Sequence, residues 1–105
     1  MPLEHQERLE SLRQEYRQEF PSHIRFLEEC WKKISNQEST QETWDAFYNR
    51  AHQLAGSGST FGFAKVSRLA GLLQNLIKQL RSLSSVSLRE KKDLESLLLA
   101  LKNPF

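Results

Sequence analysis

Several residue types are scarce in this chain, and each shortage excludes a class of protein. The 105 residues include a single cysteine, Cys30, which excludes a disulfide framework and a cysteine-based zinc finger. Valine and isoleucine together number only five, and no segment alternates polar and apolar residues, so strands are not expected. Four glycines and three prolines exclude collagen-like and low-complexity chains. The longest apolar run, Leu97 to Leu101, falls far short of the roughly 20 residues that a membrane span requires.

The composition nevertheless supports a folded domain. Ten aromatic residues, among them Trp31 and Trp44, supply apolar area for a core and argue against disorder. The length is that of one ordinary domain, so residues 1–105 are expected to form a single one. The first ten residues are polar and acidic and do not resemble a signal peptide, so we expect a cytoplasmic protein without a membrane span.

Apolar residues recur at steps of three and four along most of the chain, which predicts helices. Each row of apolar residues on one face of a predicted helix is called a stripe. Pro21 lies between the first two stripes, and the chain there either kinks or starts a new helix, because proline disfavours helical geometry in the preceding residue. Ser39 or Thr40 is suited to cap the third segment, with Glu42 as partner in a capping box. Ser87 is suited to cap the last segment. The stripes are Leu9, Leu12, Tyr16 and Phe20; Ile24, Leu27, Trp31 and Ile34; Trp44, Phe47, Ala51, Leu54, Gly58 and Phe61; Val66, Leu69, Leu73, Leu76, Leu80 and Leu83; and Leu94, Leu97, Leu98 and Leu101.

Short polar breaks at residues 35–39, 56–62 and 84–87, the last with Ser84-Ser85, separate the later stripes. Short connections between long helices favour antiparallel neighbours. We therefore predict an all-α fold, an up-and-down antiparallel four-helix bundle with a kinked or extra N-terminal helix. The same breaks argue against a coiled-coil dimer, and we expect a monomer.

The third stripe contains a histidine that should be exposed beside an unusual turn. At 100° per residue, His52 lies about 130° from the mean direction of the apolar positions. The turn that follows has two glycines, and each glycine inside a helix costs roughly 1 kcal/mol relative to alanine. Gly58 lies on the core side, where close packing between helices explains it. Gly56 lies near His52, where a bare patch would admit another protein's backbone or a phosphoryl group on the ring.

The net charge of +2 conceals an uneven distribution. Residues 1–48 hold ten acids and six bases, a net charge of −4, whereas residues 49–105 hold three acids and nine bases, a net charge of +6. No acid lies between Arg50 and Arg81. His52 and its glycines lie inside this stretch, which suits a dianion or an acidic partner.

The segment from Arg50 to Gly62, RAHQLAGSGSTFG, resembles the signature of histidine-containing phosphotransfer (HPt) domains. That signature has a leucine two residues after the histidine, a glycine four after it, often a serine next, and a second glycine ten after it. The resemblance is tight over residues 44–77 and fits the rest of the chain in length and helix order. The matching residues are His52, Leu54, Gly56, Ser57 and Gly62.

The resemblance implies an intermediate in a phosphorelay. In this family a receiver domain carries a phosphoryl group on an aspartate, the histidine, here His52, accepts it, and a second receiver takes it on. The receivers belong to response regulators and hybrid histidine kinases. They would bring the catalytic groups and magnesium, so the resemblance implies a carrier with no enzymatic site, cofactor or metal of its own. An imidazole suits this role because its neutral form is nucleophilic near pH 7.

Two positions near His52 depart from the residues that are common in the family. Ala55 stands where lysine is common, and Gln74 stands where glutamate is common. We expect a basic residue elsewhere in the acid-free stretch to replace the lysine. The candidate residues of the partner and phosphate surface are Tyr48, Arg50, Ala55, Gly56, Ser59, Lys65 and Arg68, and the structural residues of the motif are Leu54, Gly58 and Gly62.

Other functions fit the residues less well. His5, His23 and Cys30 show no metal-ligand spacing with one another or with the exposed histidine, so no metal site is expected. No glycine-rich nucleotide loop is present, which argues against autophosphorylation. Alanine at position 55 leaves open a binding adaptor of the same fold that docks receiver or kinase domains without carrying phosphate. A nucleic-acid-binding bundle is a further alternative, but five bases spread over 32 residues without interleaved aromatics do not favour it.

Overall fold

The computed structural model describes residues 2–83 and 86–105, with side chains from His5 onward. The described residues form the helices α1 (Pro2–Ser35), α2 (Gln41–Thr60), α3 (Ala64–Leu80) and α4 (Leu88–Leu101). Helix α1 packs against α2 and α4, and α3 packs against the same two helices, so α1 and α3 lie diagonally across the bundle. This order of contacts gives the all-α, up-and-down four-helix bundle that the sequence predicts.

Helix α1 passes through Pro21 without a break. The sequence leaves open a kink or a new helix at Pro21, and the structure excludes the new helix. Pro21 has no N–H, so the carbonyl of Arg17 loses its usual partner in the helix. Phe20 and Ile24 are only 1% and 4% exposed, and they tie both halves of α1 to the core. Tertiary packing of this kind supplies most of the stability of a helix in a protein, and it offsets the lost hydrogen bond.

The first three turns of α1, residues 2–12, are called the α1 extension because they project beyond the rest of the bundle. The first stripe predicts a buried face from Leu9 onward, but Leu9 and Leu12 are 44% and 42% exposed. The reason is the length of the neighbouring helix, because the turn that ends α2 lies beside Arg13 and Tyr16. The molecule is consequently elongated, with principal dimensions of 55 × 21 × 19 Å.

Helices α2 and α4 begin at capping boxes. Thr40 caps α2, and its Oγ1 accepts a hydrogen bond from the backbone N–H of Thr43 at 3.3 Å. The side chain that completes this box is Thr43 and not Glu42, because the box requires the third residue of the helix. Ser87 caps α4 as predicted, and Glu90 accepts a hydrogen bond from the Ser87 backbone at 3.0 Å.

Helix α3 ends at Leu80, one turn before the end that its stripe predicts. Leu83 lies beyond it and is 47% exposed. Within α3, Ile77 lies fully in the core whereas Leu76 is only partly buried, because the buried face is shifted by one position. The break that the sequence predicts at Ser84-Ser85 lies outside the described residues.

The core lies where the stripes of the four helices face one another. Trp44, Phe61 and Leu97, at the edges of their stripes, are partly buried and pack against it. The buried residues are Tyr16, Phe20, Ile24, Leu27, Cys30, Trp31 and Ile34 from α1; Phe47, Ala51, Leu54 and Gly58 from α2; Val66, Leu69, Ala70, Leu73, Ile77 and Leu80 from α3; and Leu94, Leu98 and Leu101 from α4.

Candidate functional site around His52

His52 lies on the solvent side of α2, as its position in the helix predicts, and its side chain is exposed. Ala51 and Leu54, on the opposite side of the helix, are 0% and 1% exposed, so the core holds α2 behind an accessible imidazole. In the described part of the chain, the hydrogen bonds around the site join neighbours of the imidazole and not the ring itself. Helical spacing places four of the predicted surface residues on the same side of α2 as His52. They are Tyr48, Ala55, Gly56 and Ser59.

Gly56 leaves open space beside His52. Outside the local helix backbone, a Cβ added to Gly56 would have no atom within 4 Å, and the residue is exposed. Gly58 faces the other way, because its added Cβ would lie 2.9 Å from the backbone nitrogen of Ser67 and 2.9 Å from Cγ1 of Val66. The prediction for Gly58 is confirmed, since this glycine permits close packing of α2 on α3. The space at Gly56 is a bare patch on the surface.

Hydroxyl groups satisfy carbonyls in this glycine-rich part of α2. Ser67 of α3 donates to the carbonyl of Ala55 at 2.9 Å, and Thr60 donates to the carbonyl of Gly56 at 3.1 Å. A hydrogen bond of this type contributes about 1 kcal/mol. These bonds help to keep the last turns of α2 helical despite the glycines.

The turn between α2 and α3 is attached to α1. Gly62 has φ of +79°, which favours glycine, and a Cβ there would meet the guanidinium of Arg13. Arg13 Nε donates to the carbonyl of Phe61 at 2.7 Å, and Ser57 Oγ lies 2.9 Å from Tyr16 Oη. Burial raises the pKa of Tyr16, and the hydrogen bond with Ser57 opposes this only in part. Ser57 and the carbonyl of Phe61 therefore anchor the end of α2 to α1, and Gly62 leaves room for the Arg13 side chain.

Tyr48 lies one turn before His52, and their rings are nearly parallel, with an angle of 7° and 6.3 Å between centroids. From α3, Gln74 Nε2 donates a hydrogen bond to Tyr48 Oη at 3.1 Å. The guanidinium carbon of Arg81 lies 5.9 Å from the centre of the Tyr48 ring, and Arg81 forms an ion pair with Asp45. Tyr48 thus borders His52 and is itself held by Gln74 within α3 and by Arg81 just after its end.

Of the three basic candidates, one is directed towards α1 and the other two lie at the start of α3. Arg50 is directed towards α1, where its Nη1 lies 3.0 Å from His23 Nδ1 and its Cζ lies 4.0 Å from the centre of the Phe26 ring. Arg50 therefore does not extend towards His52 in this structure. Lys65 and Arg68 are exposed in the first turns of α3, beside the last turns of α2.

The chemistry of the site is that of an accessible imidazole. No group of three or more metal-ligating side chains occurs among the described residues. Asp45, the nearest acid before His52 on α2, is paired with Arg81 and also accepts a hydrogen bond from Gln41 at 3.2 Å. Cys30 is buried, and this burial raises the pKa of its thiol.

The chain was compared with models of known protein families. The model of the Hpt domain matches residues 4–103, which is nearly the whole chain. The chain belongs to the Hpt domain family. Membership implies histidine phosphotransfer in a phosphorelay of two-component signalling, by a carrier that interacts with receiver domains. No curated protein and no solved structure matches this Hpt domain. Among the residues that the structure describes, no helix has both the length and the apolar character needed to cross a membrane.

Several contacts of the Hpt domain were not foreseen from its sequence. Gln74 stands out there only as a departure from the family, whereas in the structure it binds Tyr48. The sequence predicts Arg50 on the phosphate surface, whereas in the structure Arg50 is bound to His23. One signal was available, because Gln74 is a polar residue close to the buried face of α3 and such a residue requires a partner.

Proposed function

We propose that His52 of this Hpt domain accepts a phosphoryl group from an aspartate of one receiver domain and passes it to an aspartate of another. The observation that carries the proposal is an exposed imidazole beside a glycine with open space around it. The chain between Asp45 and Glu90 contains no acid. On α2 the nearest acid before His52, Asp45, is two turns away and is paired with Arg81, so this unhindered surface favours the approach of a dianionic phosphoryl group.

The transfer requires little chemistry from the Hpt domain itself. The unprotonated nitrogen of the neutral imidazole attacks phosphorus, a P–N bond forms, and the bond from phosphorus to the aspartate oxygen breaks. The aspartate leaves as a carboxylate, and the other ring nitrogen of His52 keeps its proton. The family resemblance implies that the attacking atom is the outer nitrogen, Nε2. Transfer to the second receiver reverses these steps, and the receivers would supply the catalytic groups and magnesium.

The proposed docking face is the side of α2 that carries His52. Small residues make this face flat, which allows the backbone of a receiver to come close. Lys65 and Arg68 would attract the phosphorylated receiver from the α3 side. Arg50 would contribute only after leaving His23 and Phe26. The docking face comprises Ala55, Gly56 and Ser59 beside His52, with Tyr48 at its edge.

Labelling by a phosphorylated receiver tests the role of His52. Receiver domains are charged with acetyl phosphate and incubated singly with the Hpt domain, and the modified residue is mapped by mass spectrometry at alkaline pH. We expect the label on His52, and we expect His52→Gln to abolish it. His5→Gln is the matched control and should keep the label, because His5 lies on the α1 extension. A label that persists in His52→Gln contradicts the proposal.

A second candidate function is a binding adaptor of the same fold that docks receiver or kinase domains without carrying phosphate. The observation that favours it is Ala55, which stands one turn after His52 where the family commonly has lysine and offers no charge to a phosphoryl group on the ring. The same experiment separates the two functions. An adaptor would bind a receiver and acquire no acid-labile phosphate on His52.

A further inference from the structure

His52 is exposed, yet an aromatic side chain lies along one side of it. The rings of Tyr48 and His52 are parallel to within 7°. Their centroids are 6.3 Å apart, which lies in the range of about 4.5–7 Å that is typical of interacting aromatic pairs. Side chains on a helix lean towards its N-terminus, so the imidazole of His52 leans towards Tyr48.

The other side of the imidazole has no comparable neighbour on α2. One turn further on are Ala55, with a single methyl group, and Gly56, with no side chain. The ring is therefore bounded by Tyr48 towards the start of α2 and is open towards its end. The open side is the bare patch at Gly56, where nothing outside the local helix backbone lies within 4 Å of an added Cβ.

Tyr48 is itself held in place. Its hydroxyl oxygen accepts the hydrogen bond from Gln74, and the guanidinium of Arg81 lies over its ring. Asp45 holds Arg81 through an ion pair, and the ring of Tyr48 packs against the core. A tyrosine restrained in this way has already lost the rotamer freedom of an exposed side chain, so it can restrain its neighbour without a further cost in entropy.

From this geometry we propose that Tyr48 is a positioning residue for phosphotransfer at His52, and that Gln74 acts through Tyr48. The inference rests on the proposed function of His52. The flat face of Tyr48 excludes the orientations of the imidazole that would cross it, so the ring presents the same edge to an incoming receiver. A nucleophile that is already oriented lowers the barrier to transfer, and it affects the rate within the complex more than the affinity.

The test compares Tyr48→Leu, Tyr48→Phe and Gln74→Leu with the matched control Gln53→Leu, which alters an exposed residue of α2 on another side of the helix. NMR three-bond couplings report the distribution of the His52 χ1 angle. The second measurement uses the receiver that labels the wild type fastest. It gives the maximum rate of transfer from that receiver and the Kd of the same receiver in its unphosphorylated form. The third is labelling of His52 by phosphoramidate, a small donor that releases ammonia.

We expect Tyr48→Leu to average the His52 couplings and to lower the maximum rate of transfer about tenfold, while the Kd changes less than about twofold. Tyr48→Phe keeps the flat ring but loses the hydrogen bond from Gln74, as Gln74→Leu does, so both variants should have rates between those of the wild type and Tyr48→Leu. Gln53→Leu should match the wild type. Labelling by phosphoramidate should change less than about twofold, because a freely diffusing donor does not require one orientation of the ring.

Two results would overturn the inference. One is identical His52 couplings in the wild type and Tyr48→Leu. The other is a loss of rate in Tyr48→Leu that is matched by an equal loss of affinity, since Tyr48 would then be a docking contact only. If no receiver labels His52 in the wild type, the proposed function fails instead, and the couplings still decide whether Tyr48 orients the ring.

Discussion

Gly56 and Gly58 lie two residues apart in α2, and a methyl group added to each would meet different surroundings. We expect Gly56→Ala to raise the free energy of unfolding by about 0.5–1 kcal/mol, because alanine loses less backbone entropy in a helix and its methyl group has open space. Gly58→Ala should lower it, since the methyl would lie 2.9 Å from the backbone nitrogen of Ser67 and α2 would have to move away from α3. Urea denaturation measures both changes, and equal signs would contradict the two roles.

A bulkier, charged substitution at Gly56 tests whether the bare patch takes part in docking. Gly56→Glu should keep the fold, because its side chain would enter open space, but it would place a carboxylate beside His52. Labelling of His52 by a phosphorylated receiver should then be lost through steric and charge repulsion, whereas Gly56→Ala should keep it. Normal labelling of Gly56→Glu would show that the bare patch has no part in docking.

The contact between α1 and α2 contains a titratable group, the imidazole of His23. Neutral His23 can accept the N–H of Arg50, whose Nη1 lies 3.0 Å from its Nδ1, whereas protonated His23 cannot. Burial lowers the pKa of His23, the positive charge of Arg50 lowers it further, and Glu19 opposes the shift in part. Phe26 supports the guanidinium from below.

Stability should therefore depend on pH through this link between α1 and α2. Because the fold lowers the pKa of His23 below its ordinary value of 6.5, the unfolded chain binds more protons in this range. The contribution of the His23–Arg50 contact to the free energy of unfolding is complete above pH 6.5. It is lost as the pH falls from there through the folded pKa of His23. Urea denaturation at a series of pH values should show this loss in the wild type and a smaller loss in His23→Gln and in Arg50→Met. Parallel profiles for all three proteins would exclude the link.

The sequence predicts the helices correctly where two apolar stripes face one another, and it fails where a stripe has no partner. Ile24 and Leu27 have the spacing of a core face and are buried. Leu9 and Leu12 have the same spacing and are exposed, because α2 does not reach them. Spacing along one helix indicates which side is apolar. It does not indicate how far a neighbouring helix extends.

The site shows the same division between local and long-range information. The exposure of His52 and the packing of Gly58 follow from positions within a single helix, so both are predicted correctly. The bond from Gln74 to Tyr48 joins residues that are 26 positions apart, and it depends on the register between α2 and α3. A single sequence contains no measure of that register, so it indicates that Gln74 requires a partner but not that the partner is Tyr48.

For the whole molecule, the α1 extension contributes to the elongated shape. The radius of gyration is 15.3 Å, compared with about 13 Å for a compact domain of this size. We expect removal of residues 2–8 to change the free energy of unfolding by less than about 1 kcal/mol, because the described side chains from His5 to Leu12 are exposed and buried contacts supply most of the stability of a helix. Small-angle scattering should show a monomer near 15.3 Å and a smaller radius after the deletion. A large loss of stability would mean that the extension packs on the bundle.

The elongation also determines how the molecule rotates in solution. Helix α1 has 34 residues and is about 51 Å long, close to the longest dimension of 55 Å, so it defines the long axis, and helices in four-helix bundles typically lie about 20° from parallel or antiparallel. Peptide N–H bonds in a helix point along its axis, so helical amides sense mainly the slow end-over-end rotation. Amides at other angles, such as those in the connection at residues 36–40, also sense the faster spin about the long axis. Differences in 15N transverse relaxation between helices and connections will therefore arise from shape alone, even where the backbone is equally rigid.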